Sequence, residues 1–412
     1  MLLSDVVDRR ENNLDALRLI AASLVIVDHA FPIAGREHVF VDQLGFTLGN
    51  LAVSSFFAMS GYLIARSWDE DPNVIRYLAK RALRLMPALI VAALFCALVV
   101  GAFTSTLPLG EYLRDPLTRS YVWDNSLVFP IQYALPGVFD GNPYPVAVNG
   151  SLWSLPIEVV AYGMVLALGA LGILRRRAWV FGFFLVVLFV HLRLPDSRFL
   201  GDGVWFHMPV VQLWELLAIF LMGTLAYLYR EKIVLSPALM LAMLALMVVT
   251  LKTSMAQAVY LVTVPYTLFV VGYALWPRLR SITRPGDVSY GVYIYAFPIQ
   301  QVLADIRPGT NPWAAAVGAF VITYALAYGS WRLIEKPALR LKRYIHGHQP
   351  SVELAPSWEP GSEPAPTSAG RGRGGPGRRS SESARRRGSA ARSRRARPAP
   401  QGRRGTRPAG PP

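Results

Sequence analysis

Two ionisable side chains, Arg18 and His29, interrupt an otherwise apolar stretch near the N-terminus, Asn13 to Pro32. On a helix, the eleven steps between them leave only about 20° after three turns, so both face the same way, roughly 16 Å apart. Ionisable groups inside a bilayer are costly and usually face protein or a water-filled cavity, so two on one stripe describe a polar path across a membrane. An imidazole there is suited to general acid–base work. The plainer account is that Arg18 snorkels to headgroups and His29 sits at the far interface.

Glu158, in the segment Asn149-Gly-Ser-Leu-Trp-Ser-Leu-Pro-Ile-Glu158, is the carboxylate that could pair with or orient His29. If Asn149 or Ser151 caps a helix at the outer face, Glu158 lies about two turns in, at a depth like that of His29. Asp28 adjoins His29 but points about 100° away, and Glu215 is a weaker intramembrane candidate. Arg81 and Arg84, three residues apart, lie side by side on a helix and form a pair of guanidinium forks suited to phosphate. Positive-inside topology would account for them equally. Pro87 can open the spanning helix that follows. Ser60-Gly61 inside a spanning segment permits close approach of a bound ligand or of a neighbouring helix. In Trp331-Arg-Leu-Ile-Glu-Lys-Pro337, Glu335 is expected to bridge to Arg332 and Pro337 to end the helix.

These residues need elements to hold them, and composition says which. The 412-residue chain is 53% hydrophobic and 17% charged, which points to an all-α polytopic membrane protein. Apolar segments recur about ten times, at 14–33, 46–66, 87–106, 150–173, 178–194, 207–229, 235–251, 256–276, 288–305 and 313–334. Arg and Lys concentrate in alternate connections, such as Arg76 to Arg84, Arg175 to Arg177 and Arg278 to Arg284, which predicts both termini cytoplasmic. Arg9 and Arg10 before the first segment suit a retained signal anchor. The 107–148 connection carries Tyr112, Tyr121, Trp123, Tyr133 and Tyr144, aromatic faces for sugar rings or for an interfacial belt. The single cysteine, Cys96, is a small buried hydrophobe that allows no intrachain disulfide.

Two regions follow, a transmembrane domain at 1–345 and a tail at 346–412. Residues 351–412 hold fourteen Arg and four Glu, so +10 of the net +16 lies in a segment with almost no large apolar residues. Such a tail is expected to be disordered and drawn to anionic lipid headgroups. It lacks interleaved aromatics for stacking bases, so no nucleic-acid partner is expected, and no cysteine/histidine cluster has metal spacing.

Taken in order, Arg18-x10-His29, Phe56-Phe-x-x-Ser-Gly-Tyr-Leu-Ile, Arg81-x-x-Arg84, Ser151-Leu-Trp-Ser-x-x-x-Glu158 and Ser289-Tyr-Gly resemble the membrane acyltransferase-3 family over roughly residues 12–340. The resemblance implies O-acylation of surface polysaccharide, lipopolysaccharide or related acceptors in a bacterial plasma membrane, with acetyl-CoA or another acyl-CoA as donor. It implies essential roles for His29 and Arg18, and acyl-CoA phosphate contacts for Arg81 and Arg84, with Ser60 and Gly61 nearby. Ala296 stands where many members carry a histidine, so it is expected to be non-catalytic. The readings kept beside this one are an acyltransferase acting on a small molecule such as a macrolide, and a flippase of lipid-linked sugars.

Overall fold

Short polar residues start the helices. Side-chain oxygens of Thr47, Asn73, Asp115, Ser236 and Asn311 accept hydrogen bonds from first-turn amides and satisfy donors that a helix leaves open. The apolar runs between caps form α1 (Leu14–Ile33), α2 (Leu48–Glu70), α3 (Val74–Phe95), α4 (Pro116–Leu127), α5 (Leu155–Ala170) and α6 (Arg177–Arg193). They continue as α7 (Val210–Leu228), α8 (Pro237–Thr250), α9 (Ala256–Tyr273), α10 (Ser289–Ile306) and α11 (Pro312–Ser330). A short antiparallel pair joins Val204–Trp205 to Met208–Pro209. This computed structural model describes residues 1–7, 12–193, 204–205, 208–284 and 286–345. The expected tail at 346–412, with Arg9 and Arg10, lies outside the described residues.

All ten segments expected to span are helical, and seven helices among the described residues are long and apolar enough to cross a membrane. Two of the others are short, α6 with 17 residues and α8 with 14. The remaining helix, α10, is long enough but carries Gln300, Gln301 and several tyrosines. It is buried along most of its length, so its polar groups meet protein instead of lipid.

Two helix boundaries differ from expectation. Pro87 does not open the third span: the helix begins at Val74 under the Asn73 cap, runs through Pro87, and continues through a π-helical stretch, Cys96–Val100, to Thr104. Lys80, Arg81 and Arg84 therefore ride on the spanning helix itself. Pro337 does not end the last helix either. A π-helical Trp331–Glu335 leads into Lys336–Arg340, where Pro337 sits in the first turn and its missing N–H removes little.

Two contacts set the frame of the site. Along the α2–α7 crossing, a Cβ on Gly61 would lie 1.9 Å from the Phe220 carbonyl oxygen, and one on Gly223 would lie 2.0 Å from that of Ala58. Only glycine lets these backbones touch, as small residues do at membrane-helix crossings. The second contact is between α10 and the chain that leads into α5. Gln301 donates to the carbonyls of Tyr144 (2.7 Å) and Ala147 (2.8 Å), and Asn149 donates to that of Ile294 (2.8 Å). The Tyr293 hydroxyl donates to the Ser151 carbonyl at 2.9 Å and lies 2.7 Å from the Ser154 hydroxyl. From Gln301 to Ile294 is about 10 Å of helix rise, so a non-helical stretch of chain, Tyr144 to Asn149, descends that far into the bundle before a 3-10 turn, Gly150–Ser154, leads into α5. Side chains of α10 satisfy its backbone where water would otherwise be needed.

The connection expected at 107–148 is substantially helical, with Leu109–Arg114 and α4. Tyr112 and Tyr121 are fully buried in it and cannot stack on a ligand; the Tyr112 hydroxyl donates to the Ala97 carbonyl at 2.7 Å. Trp123 is exposed, and Tyr144 packs edge-on against Phe297.

Candidate functional site

At one end of the bundle α1, α2, α3, α5 and α10 surround a cavity of about 230 Å³, open at its mouth. Its lining includes Arg18, Arg81, Arg84 and Lys342 against one carboxylate, Glu158, with walls of Phe56, Phe57, Tyr162, Tyr290 and Tyr293. The structure thus brings together Arg18, Ser60, Arg81, Arg84 and Glu158 from the residues expected to form a site. Gly61 is not among them: it faces α7 and serves the helix crossing. Glu215 also lies elsewhere, on α7.

The two arginines of the Arg-x-x-Arg pair differ. Arg84 is held in place by carboxylates, with an Asp287 oxygen at 2.6 Å and a Glu335 oxygen at 3.8 Å. Asp287 precedes α10. Burial alone would raise its carboxyl, but the Arg84 and Arg18 charges and the Ser289 hydroxyl and amide outweigh burial and hold it below the usual carboxylate range. Arg81 has no carboxylate partner among the described residues. Its guanidinium sits 5.8 Å from the rings of both Tyr77 and Tyr162, a terminal nitrogen reaches Ser67 at 3.5 Å, and the buried Nε has no partner. A guanidinium held by aromatic faces keeps donors for an anion. Among the described residues Arg18 forms an ion pair with the exposed Asp15, at 3.7 Å.

Two expectations need correction here. Glu335 does not bridge to Arg332, which reaches the Tyr328 hydroxyl; Glu335 is buried, beside Arg84 and Ser330. Carrying the helix past Pro337 turns this carboxylate inward and returns Lys342 to the cavity. Glu158 is not at the depth of His29. Because chain descends beside α10 before α5 starts, Glu158 falls among Arg18, Arg81 and Arg84, where Tyr162 donates its hydroxyl to it.

His29 lies above this cavity. Its ring meets Phe297 edge-on with centroids 5.2 Å apart, and its buried Nδ1 has no partner among the described residues. Asp28 does not orient it, since its Oδ2 lies 3.0 Å from Nδ1 of His38. That contact lifts His38 above the ordinary histidine range, against the opposing effect of burial. Phe297 is wedged so tightly that a Cβ on Gly150 would come within 2.6 Å of its ring. Ala296 is buried in the apolar contact of α10 with α1, as suits a non-catalytic position.

Among the described residues no group of three or more His, Cys, Asp or Glu is arranged to hold a metal ion. Sequence reasoning missed Asp287, Lys342 and Phe297. The Gln300-Gln301 pair was a usable signal, because polar side chains are uncommon in the middle of an apolar helix.

Comparison with known proteins agrees with these features. Residues 11–332 match the acyltransferase-3 profile, described as an acyltransferase domain. An O-acetyl transferase of Shigella phage Sf6 is 30% identical over 84% of this chain and 99% of its own length. Nodulation protein 10 of Rhizobium leguminosarum bv. viciae is 27% identical over 83% of this chain and 96% of its own length. Acyltransferase MdmB of Streptomyces mycarofaciens is 25% identical over 86% and 96% respectively. No solved structure matches the chain. With apolar helices that can cross a bilayer, a cation-lined cavity between them and a family match over most of its length, this chain belongs to the acyltransferase-3 family of membrane acyltransferases.

Proposed function

We propose that this enzyme moves an acyl group, acetyl in the first instance, from acyl-CoA on the cytoplasmic side of a bacterial plasma membrane to a hydroxyl of a surface polysaccharide or glycolipid on the other. The observation that carries this reading is the cavity lined by four cations against one carboxylate, with aromatic and apolar walls leading away from them. Guanidinium forks recognise phosphate oxygens through charge-assisted pairs, and the apolar walls suit the arm that carries the thioester. Arg81 and Arg18 are the principal phosphate contacts in this scheme, Lys342 adds positive charge at the mouth, and Arg84 supports the floor through its carboxylates.

His29 acts as general base. The acceptor oxygen bonds to the thioester carbonyl carbon while His29 takes the hydroxyl proton; the carbon–sulfur bond breaks, and the proton passes to the departing thiolate. Ten crossings with both termini cytoplasmic suit this direction of transfer and the alternation of basic connections. The arginine-rich segment after 345 would then rest against anionic headgroups. The phage relative named as an O-acetyl transferase favours acetyl as the group moved. Family membership displaces the flippase reading.

The test is transfer of labelled acetyl from acetyl-CoA to glycan in membranes holding the full-length protein. His29→Ala is expected to slow transfer by about 10²- to 10⁴-fold, the range for removing a general base. A mutant that transfers at the wild-type rate removes His29 from the chemistry. Mass spectrometry of the product reports acceptor and acyl group together, and a labelled small molecule in place of glycan would reassign the acceptor class.

A further inference from the structure

A second cavity lies at the opposite end of the same two helices. It is lined by Ala30 at the end of α1, by Gln300 and Arg307 along and just beyond α10, by Thr310, and by Ala315 and Gly318 of α11. Position along the helices orders the parts. On α1, Arg18 lines the first cavity and Ala30 the second, with His29 immediately before Ala30. On α10, Tyr293 lines the first cavity and Gln300 the second, and Phe297, against His29, lies between them. His29 and Phe297 therefore stand at the divide between two spaces, about 10 Å of rise from one lining residue to the next on α10.

Its polar and charged lining residues are Gln300, Thr310 and the exposed Arg307, and of these only Gln300 is buried. The residue is 2% exposed, and its Nε2 donates to the Ile26 carbonyl at 2.7 Å. That tie fixes which end of the amide is nitrogen, because a carbonyl oxygen needs a donor. The Oε1 that remains is buried without a partner. A buried amide oxygen without a donor is destabilising, so a donor from outside the protein is the natural complement. The surrounding walls are mostly alanine and glycine, leaving room where larger side chains would fill it.

We propose that this second cavity receives the hydroxyl-bearing end of the acceptor, and that Gln300 Oε1 accepts the hydrogen bond from a hydroxyl of that acceptor beside His29. The inference rests on the acyl-transfer reading above and adds to it a place and a residue. The ligand class is a polyol such as a sugar ring; an acyl chain of a lipid would leave Gln300 unsatisfied.

The test uses the one-cysteine background. Cys96 is fully buried, so a membrane-impermeant maleimide finds no target in the wild type. Ala315→Cys, or Gly318→Cys should the first fail to fold, places a thiol in the cavity wall; a Cβ at Gly318 meets only Leu303, at an ordinary 3.6 Å. Acetyl transfer from labelled acetyl-CoA to membrane glycan is compared for the same variant before and after labelling. Labelling is expected to lower transfer tenfold or more while leaving acetyl-CoA affinity unchanged. Gln300→Leu is expected to raise the apparent KM for extracted glycan by about tenfold, the scale of one hydrogen bond, with the KM for acetyl-CoA unmoved. Unchanged transfer after labelling, with an active wild type, overturns the acceptor site and leaves the enzyme reading intact. A Gln300→Leu variant whose two KM values rise together reduces Gln300 to a tie between α10 and α1. Absence of acetyl transfer by the wild type overturns the underlying reading as well.

Discussion

The cavity below His29 is walled by phenylalanine and tyrosine and ringed with cations, whereas the one beyond it is walled largely by alanine and glycine, with one buried amide, Gln300, and Thr310 and Arg307 toward its outer side. The difference shows in what each end needs for support. Like charges gathered in a low-dielectric setting repel one another strongly, so the cationic end recruits carboxylates from distant parts of the chain, Asp287 before α10 and Glu335 after α11. The other end gathers no such cluster of charge, and a hydrogen bond from Gln300 ties its wall to α1. One end is built around charge and the other around space.

The largest expected effect comes from Arg84, because its role is support. Arg84→Ala leaves the buried Glu335 and the partly buried Asp287 without their counter-charge, and breaking a buried pair destabilises by about 3–5 kcal/mol. Thermal unfolding of the detergent-solubilised protein measures it. Wild-type stability combined with lost acetyl-CoA affinity would break the comparison, making Arg84 a ligand contact alongside Arg81 and Arg18.

Arg81 should give the reverse pattern. Arg81→Ala removes a guanidinium without a carboxylate partner among the described residues, so unfolding should hardly shift. Its acetyl-CoA KM should rise by about 10- to 100-fold, the worth of one charge-assisted contact. Arg81→Lys should recover only part of that, because an ammonium cannot reproduce the planar fork between two rings. A large loss of stability with unchanged KM would assign Arg81 to packing.

The smallest effect is a pH dependence at the far end of α1. His38 has its pKa raised by the hydrogen bond to Asp28, so protonation is favoured in the folded state. The contribution is fully present below the unfolded histidine value of about 6.5 and is lost as pH rises through the higher folded value. Unfolding temperatures followed from pH 5 to pH 9 should therefore fall more steeply for wild type than for His38→Ala. Parallel curves would mean the pair contributes nothing. His38 is 38% exposed on its side chain, so the effect should be small.

Much of the site is legible in the amino-acid sequence. Arg18, Arg81, Arg84 and Glu158 converge on one cavity, and the helical segments fall where apolar periodicity places them. Prolines mislead: Pro87 and Pro337 read as boundaries, yet the chain stays helical through one and around the other. Tertiary packing holds the backbone there against the local preference. Glycine is ambiguous for another reason. Close approach is expected at Gly61, but whether a ligand or a helix makes it depends on α7, more than 150 residues away in sequence.

What the amino-acid sequence determined alone was periodic: which segments are apolar helices, and that Arg18 and His29 share a face of one of them. Those properties follow from hydrogen bonds four residues apart and need no partner. Depth and pairing were decided only by the tertiary structure. Glu158 lies among the arginines and not beside His29 because Gln301 and Asn149 carry a non-helical stretch of chain down along α10, and Tyr293 holds the 3-10 turn that follows, before α5 begins. Arg84 is tied while Arg81 is not because Asp287 and Glu335 fold against only one of them. Each outcome depends on groups separated by more than a hundred residues, whose meeting no local spacing encodes.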